Sequence, residues 1–177
     1  MNSVHRKSSG KSRVRIPSVT VPLVRMDKRQ HWNRLTWSAG YYSIDVPDDW
    51  EIQDQRTMVV FTAPRDAASF SVAVYEKPPR GTLKRFAQVR FAHQNKHFQP
   101  VGDPYYVKGT NWDGGIAQES LGRLPDDDAP VYRWNVCLKH PSAHIGIILH
   151  TSPETAVRCR LIFERIFSSL RLLPSKK

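Results

Sequence analysis

The chain has 177 residues, of which 40% are hydrophobic and 24% charged, and a formal net charge of +11. That length and apolar content suit one domain with its own core plus a tail, so most of the chain is expected to fold. No run reaches the roughly 18 apolar residues of a membrane span. Two cysteines, Cys137 and Cys159, are too few for a disulfide framework and read as reduced, buried thiols, with a single bridge as the alternative.

The charge is uneven. Residues 1–35 carry nine Lys/Arg against one acid, Asp27, a net of +8, while the remainder carries 18 Lys/Arg against 15 Asp/Glu. Residues 1–30 are rich in Ser, Lys and Arg, and their first half has no helical or alternating pattern, so disorder is expected there. The short apolar stretch from Ile16 to Val24 is broken by Pro17 and Pro22 and followed by charge. It makes a poor signal-peptide core, and the expected location is cytoplasmic. Met26 is an alternative start that would delete much of the basic tail.

Regular patterns begin near Trp37. Tyr42, Ile44 and Val46 alternate with Ser43 and Asp45, which predicts a half-buried strand. Pro47-Asp48-Asp49 is turn chemistry, and Trp50-Glu51-Ile52 resumes the alternation. Thr57 to Thr62 and Ser69 to Glu76 are β-rich runs, with Phe70, Val72 and Val74 on one face of the second. Pro78-Pro79-Arg80-Gly81 ends this section.

Thr82 caps a predicted helix from Leu83 to about Phe98, with Leu83, Phe86, Ala87 and Phe91 on one side and Arg90 at its edge. Candidate strands follow at Tyr105 to Lys108, Gly115 to Leu124, Val131 to Lys139 and His144 to Thr151. Gly109-Thr110-Asn111, Asp126-Asp127-Asp128 and His140-Pro141-Ser142 separate them. The last helix starts with Ser152 as cap, Pro153 at the first helical position and Glu154 complementing the helix dipole. Its apolar face is Cys159, Ile162, Phe163, Ile166, Phe167 and Leu170, with Val157 at the margin.

This order predicts an α+β domain, a mainly antiparallel β-sheet flanked by two helices in an α/β/α-type sandwich. The domain spans 36–177 and a basic N-terminal extension spans 1–35. The order, the phrase Tyr42-Ser43-Ile44-Asp45-Val46-Pro47-Asp48-Asp49-Trp50 and the closing Phe167-Ser168-Ser169-Leu170 resemble the PsbP/Mog-like superfamily, which includes bacterial DcrB-like relatives. The resemblance covers about residues 37–173. It implies a sheet sandwiched by helices and a non-catalytic binding or assembly role, with no catalytic constellation and no cofactor. The basic tail lies outside it, and no lipoprotein signal is present, which counts against a secreted role.

Several constellations carry possible chemistry. His93 and His97 stand four apart on the predicted helix, where both imidazoles would face one metal, but no third ligand is near. Cys137, His140, His144 and His150 cluster in sequence without zinc-finger spacing. If Cys137 and His150 lie on neighbouring antiparallel strands they approach each other, which makes a Cys–His nucleophile (Cys137 with His150 or His140) or a metal-dependent hydrolase the enzymatic alternative. A reactive thiolate needs an electropositive, partly exposed pocket, whereas Cys137 sits between Val136 and Leu138 in a core-like run. The buried reading is therefore preferred. The acids Asp126 to Asp128 read as a solvated loop, and Gly109, Gly114 and Gly115 as isolated turn glycines. Trp32, Trp37, Tyr41, Tyr42, Tyr105, Tyr106 and Trp112 include several rings expected at the surface, where they suit base stacking or a protein interface, while most of the set is expected to be core or rim.

The leading expectation is a non-enzymatic assembly protein. Its arm residues Arg6, Lys7, Lys11, Arg13, Arg15, Arg25, Lys28 and Arg29 would anchor it to an acidic partner, either a protein complex or RNA. A chaperone-like binder of apolar segments is the alternative.

Overall fold

A computed structural model describes residues 31–37, 40–76, 81–109, 111–124 and 127–174. Within them the chain forms β1 (Trp32–Thr36), β2 (Tyr42–Pro47), β3 (Glu51–Asp54), β4 (Met58–Thr62), β5 (Ala68–Tyr75) and α1 (Leu83–Gln94). It continues through β6 (Phe98–Pro100), β7 (Tyr105–Gly109), β8 (Trp112–Leu124), β9 (Asp127–His140), β10 (Ala143–Thr151), α2 (Pro153–Ser169) and β11 (Arg171–Leu172).

The large sheet has the order β3-β4-β5-β10-β9-β8-β6, with β7 also paired to β8, and a small sheet has the order β1-β2-β11. Every pairing is antiparallel. The α+β architecture expected from the sequence is therefore present.

Period-two alternation sorts the large sheet into two faces. Phe70, Val72 and Val74 on β5 pair with Leu149, Ile147 and Ile145 on β10, which pair with Trp134, Val136 and Leu138 on β9. These side chains form one core with Cys159, Phe163, Ile166 and Phe167 of α2 and with Tyr42, Ile44 and Val46 of β2. Phe163 is fully buried at its centre, with its ring 5.6 Å from Phe70 and 6.0 Å from Trp50. The opposite face carries a smaller cluster of Phe86, Ala87 and Phe91 from α1 against Ile116 and Cys137.

Both helix starts agree with the sequence. Ser152 Oγ accepts from the Thr155 amide at 3.3 Å, and Thr82 Oγ1 accepts from the Arg85 amide at 3.3 Å. Other elements differ. The helix predicted to reach Phe98 stops at Gln94, because the Asn95 amide closes the last turn on Phe91 and Phe98 leaves to pair with Gly122 in β6. The β8–β9 ladder runs on to Leu124 opposite Asp127, so the Asp-rich loop is shorter than the sequence suggests. The strand β3 is an exposed edge, with Ile52 43% accessible, rather than a continuation of the buried alternation. The strand β1 begins inside the stretch whose composition marks the arm.

Candidate functional site

The sequence-predicted histidines and cysteine do not converge. Cys137 stands opposite Gly146, whereas His150 stands opposite Arg133, four residues further along β10, or roughly 13 Å at strand rise. Cys137 is fully buried, and burial pushes its thiol up to about 12, so it stays protonated near neutrality. The enzymatic Cys–His reading is therefore not assembled.

His140 faces the other side of the sheet, with Nε2 2.6 Å from the Leu173 carbonyl and Nδ1 accepting from the Ser142 amide at 3.2 Å. His144 stacks on Phe86 with ring centroids 4.4 Å apart. His97 follows the end of α1, so it does not share a helix face with His93. Among the described residues, no three His, Cys, Asp or Glu side chains gather in a metal-binding group. The two thiols are free, and the sheet separates them, since Cys137 faces α1 while Cys159 lies on α2. Asp126 lies outside the described residues. Asp128 pairs with Arg123 at 3.5 Å.

The aromatic residues divide sharply. Trp37, Tyr42 and Trp112 are core residues at 4%, 0% and 6% exposure, in keeping with the expectation that most of these rings are core or rim. The Trp112 indole packs on Phe167 at 4.7 Å and lies against Gly109, where a Cβ would fall 2.1 Å from the ring. Trp32 is half-buried with the Arg165 guanidinium 4.0 Å over its ring. Tyr106 alone of this set stands out, at 79% exposure.

The alternation of β7 explains the difference between its two tyrosines. Tyr105 points to the α2 face, where its hydroxyl donates to Glu119 at 2.8 Å and accepts from Trp134 Nε1 at 2.9 Å. Burial, reinforced by Glu119, pushes this phenol up to about 12. The pair locks β7, so Tyr106 projects from the α1 face opposite Ile116.

On that face two depressions share Tyr106 as a wall. One, of about 270 Å³, is floored by Ala87, Phe91 and Ile116 and rimmed by Lys84. The other, of about 520 Å³, lies between Leu83, Gly115, Lys139 and Pro141. An exposed ring between apolar floors with lysines at the rim has the composition of an interface core with a cationic margin. Sequence reasoning placed Tyr106 among the aromatics but had no means to separate it from its buried neighbours.

The arm residues Arg6, Lys7, Lys11, Arg13, Arg15, Arg25, Lys28 and Arg29 lie outside the described residues. No described helix is long and apolar enough to cross a membrane.

No protein-family model and no curated protein matches the chain in sequence. Solved structures do match in shape. The solution structure of the cyanobacterial PsbP of Synechocystis sp. PCC 6803 is 16% identical, covers 88% of this chain and 99% of its own, and has a TM-score of 0.54. The Ran-binding protein Mog1p of Saccharomyces cerevisiae is 10% identical over 81% of this chain and 96% of its own, with a TM-score of 0.58. LpqN of Mycobacterium tuberculosis, involved in cell envelope biogenesis, is 14% identical over 84% of this chain and 94% of its own, with a TM-score of 0.51. At such identities the likeness is one of fold. The fold of this chain is the one seen in the PsbP and Mog1p structures.

Proposed function

We propose that this protein is a non-enzymatic binding or assembly subunit for an acidic protein partner. The basic arm supplies electrostatic attraction, and the Tyr106 groove receives an apolar anchor from the partner. The observation that carries this reading is the 79% exposed Tyr106 between two apolar depressions. Lys84 and Lys139 at the rim give the groove the same charge preference as an arm with nine basic residues and one acid. Mog1p, which shares the fold, is a Ran-binding protein, and fold alone supports binding as a role without naming a partner. The inert Cys137 weighs against thiol chemistry.

The test is association of the full-length protein with complexes from its native source at low and moderate salt, with and without nuclease. Deleting residues 1–30 is expected to abolish association while the domain stays folded, since the steering charge resides there. Tyr106→Ala is expected to weaken it by about 2 kcal/mol, or roughly thirtyfold, as for an aromatic anchor. Binding that survives arm deletion but fails in Tyr106→Ala favours a chaperone-like binder of apolar segments. Loss on nuclease treatment makes RNA the partner. Association indifferent to both changes refutes the proposal.

A further inference from the structure

Buried polar groups are almost always hydrogen-bonded, and an exception calls for a physical explanation. The face of the large sheet beneath α1 contains several. Asn135 on β9 is fully buried, and neither its amide nitrogen nor its amide oxygen has a partner among the described residues. The same holds for the hydroxyl of fully buried Ser120, for Nε of Arg90, and for the side-chain oxygens of Gln94 and Asn95.

Strand register brings these groups together. Asn135 lies opposite Gln118 on β8, Ser120 lies opposite Arg133, and Cys137 lies opposite Gly146 on β10. Asn135 is thus the middle residue of a β9 row that ends at Arg133 on one side. On the other side it reaches Cys137 and Gly146, the level occupied by the guanidinium of Arg90.

Two cations bracket Asn135, and among the described residues neither forms an ion pair with an acid. Arg90 donates to the Tyr75 hydroxyl and lies 5.0 Å over that ring. Its guanidinium covers Gly146 so closely that a Cβ there would sit 2.4 Å from Cζ, so only glycine leaves it room. Arg133, 8% exposed, lies 3.5 Å over the Phe98 ring. It donates Nε to His150 Nε2 at 2.7 Å and Nη1 to the Gln94 carbonyl at 3.2 Å. All of these partners are neutral. Burial lowers both guanidinium pKa values, that of Arg133 to about 10, and Arg90 adds repulsion to Arg133. Buried charge without a counter-charge is costly, yet two arginines are held here by aromatic rings and a glycine.

We propose that this face is a binding site for a small oxyanion, a phosphate or carboxylate group held between Arg90 and Arg133 over Asn135. Guanidinium forks match the planar edges of such oxyanions. The Asn135 amide and the Ser120 hydroxyl supply the neutral donors that complete the shell, and the bound charge neutralises the two cations. The proposal is independent of the arm and of the Tyr106 groove.

The test is a titration of the full-length protein with inorganic phosphate, and in parallel with acetate, at ionic strength held constant with potassium chloride. Thermal midpoint and binding heat are the readouts. A saturable rise is expected with at least one of the two oxyanions, and the one that acts identifies phosphate or carboxylate. Asn135→Leu leaves the charge of arm and domain unchanged and is expected to loosen the Kd about tenfold or more, in line with the loss of one buried charge-assisted contact. Arg133→Gln decides the matter if Asn135→Leu does not fold. Equal responses in wild type and variant place the oxyanion on the arm and overturn the proposal. No saturable response to either oxyanion overturns it as well.

Discussion

Acidification should weaken this fold through one identifiable residue. His150 is a neutral acceptor for the Arg133 guanidinium, flanked by the Phe98 ring of β6 and by Ser69 across the pairing with β5. Burial, then the charge of Arg133, lowers its pKa from 6.5 to about 4. Because the folded value is depressed, the contribution is fully present above the unfolded value of 6.5 and is lost as pH falls from there through about 4. Between about pH 7 and about pH 5, linkage at roughly 1.4 kcal/mol per pH unit gives a loss of at most about 2 kcal/mol. Partial solvent contact reduces this to about 1–2 kcal/mol. Urea unfolding of wild type and His150→Gln at the two pH values measures it. The variant should lose about 1–2 kcal/mol less than wild type over that interval. Equal losses in the two proteins would refute the argument that a desolvated imidazole beside Arg133 governs this region.

Two further outcomes test the core assignments. Phe163→Ala, at the fully buried junction with Phe70 and Trp50, should cost about 3–5 kcal/mol and lower the thermal midpoint by on the order of 10 °C. In the native protein near neutral pH, Cys137 should resist alkylation and react only on unfolding, since its thiol titrates at about 12; mass spectrometry of the labelled peptide reads this directly.

What was legible in the sequence depended on whether a residue's fate is set locally. The start of α2 was legible because Ser152, Pro153 and Glu154 each act on the backbone beside them. The faces of β5 and β10 were legible because alternation over eight or nine residues outlasts noise. By contrast β1, β6 and β11 have five, three and two residues, and pairing with a distant partner defines them. His97 was misplaced because the exchange of a helical turn for pairing with Gly122 is a tertiary decision. Tyr106 and Tyr42 are the same residue type in similar β-rich runs, yet one is 79% exposed and the other 0%: Tyr42 lies in the core with α2, whereas Tyr106 walls two open depressions beside α1. The polar row around Asn135 was invisible for the same reason: its members come from α1, β8 and β9, and only strand register and the packing of α1 on the sheet join them.

The small sheet has a consequence for how the protein is made. Its middle strand, β2, is synthesised early, but β11 pairs with it only after α2 is complete. Asp45 and Ser169, joined by a 2.8 Å bond, stand 124 residues apart. On a ribosome, Tyr42, Ile44 and Val46 emerge long before the helix that covers them. Folding of this half of the core is therefore completed after nearly the whole domain has left the exit tunnel, and until then β2 has only β1 beside it and its apolar side chains lack the cover of α2.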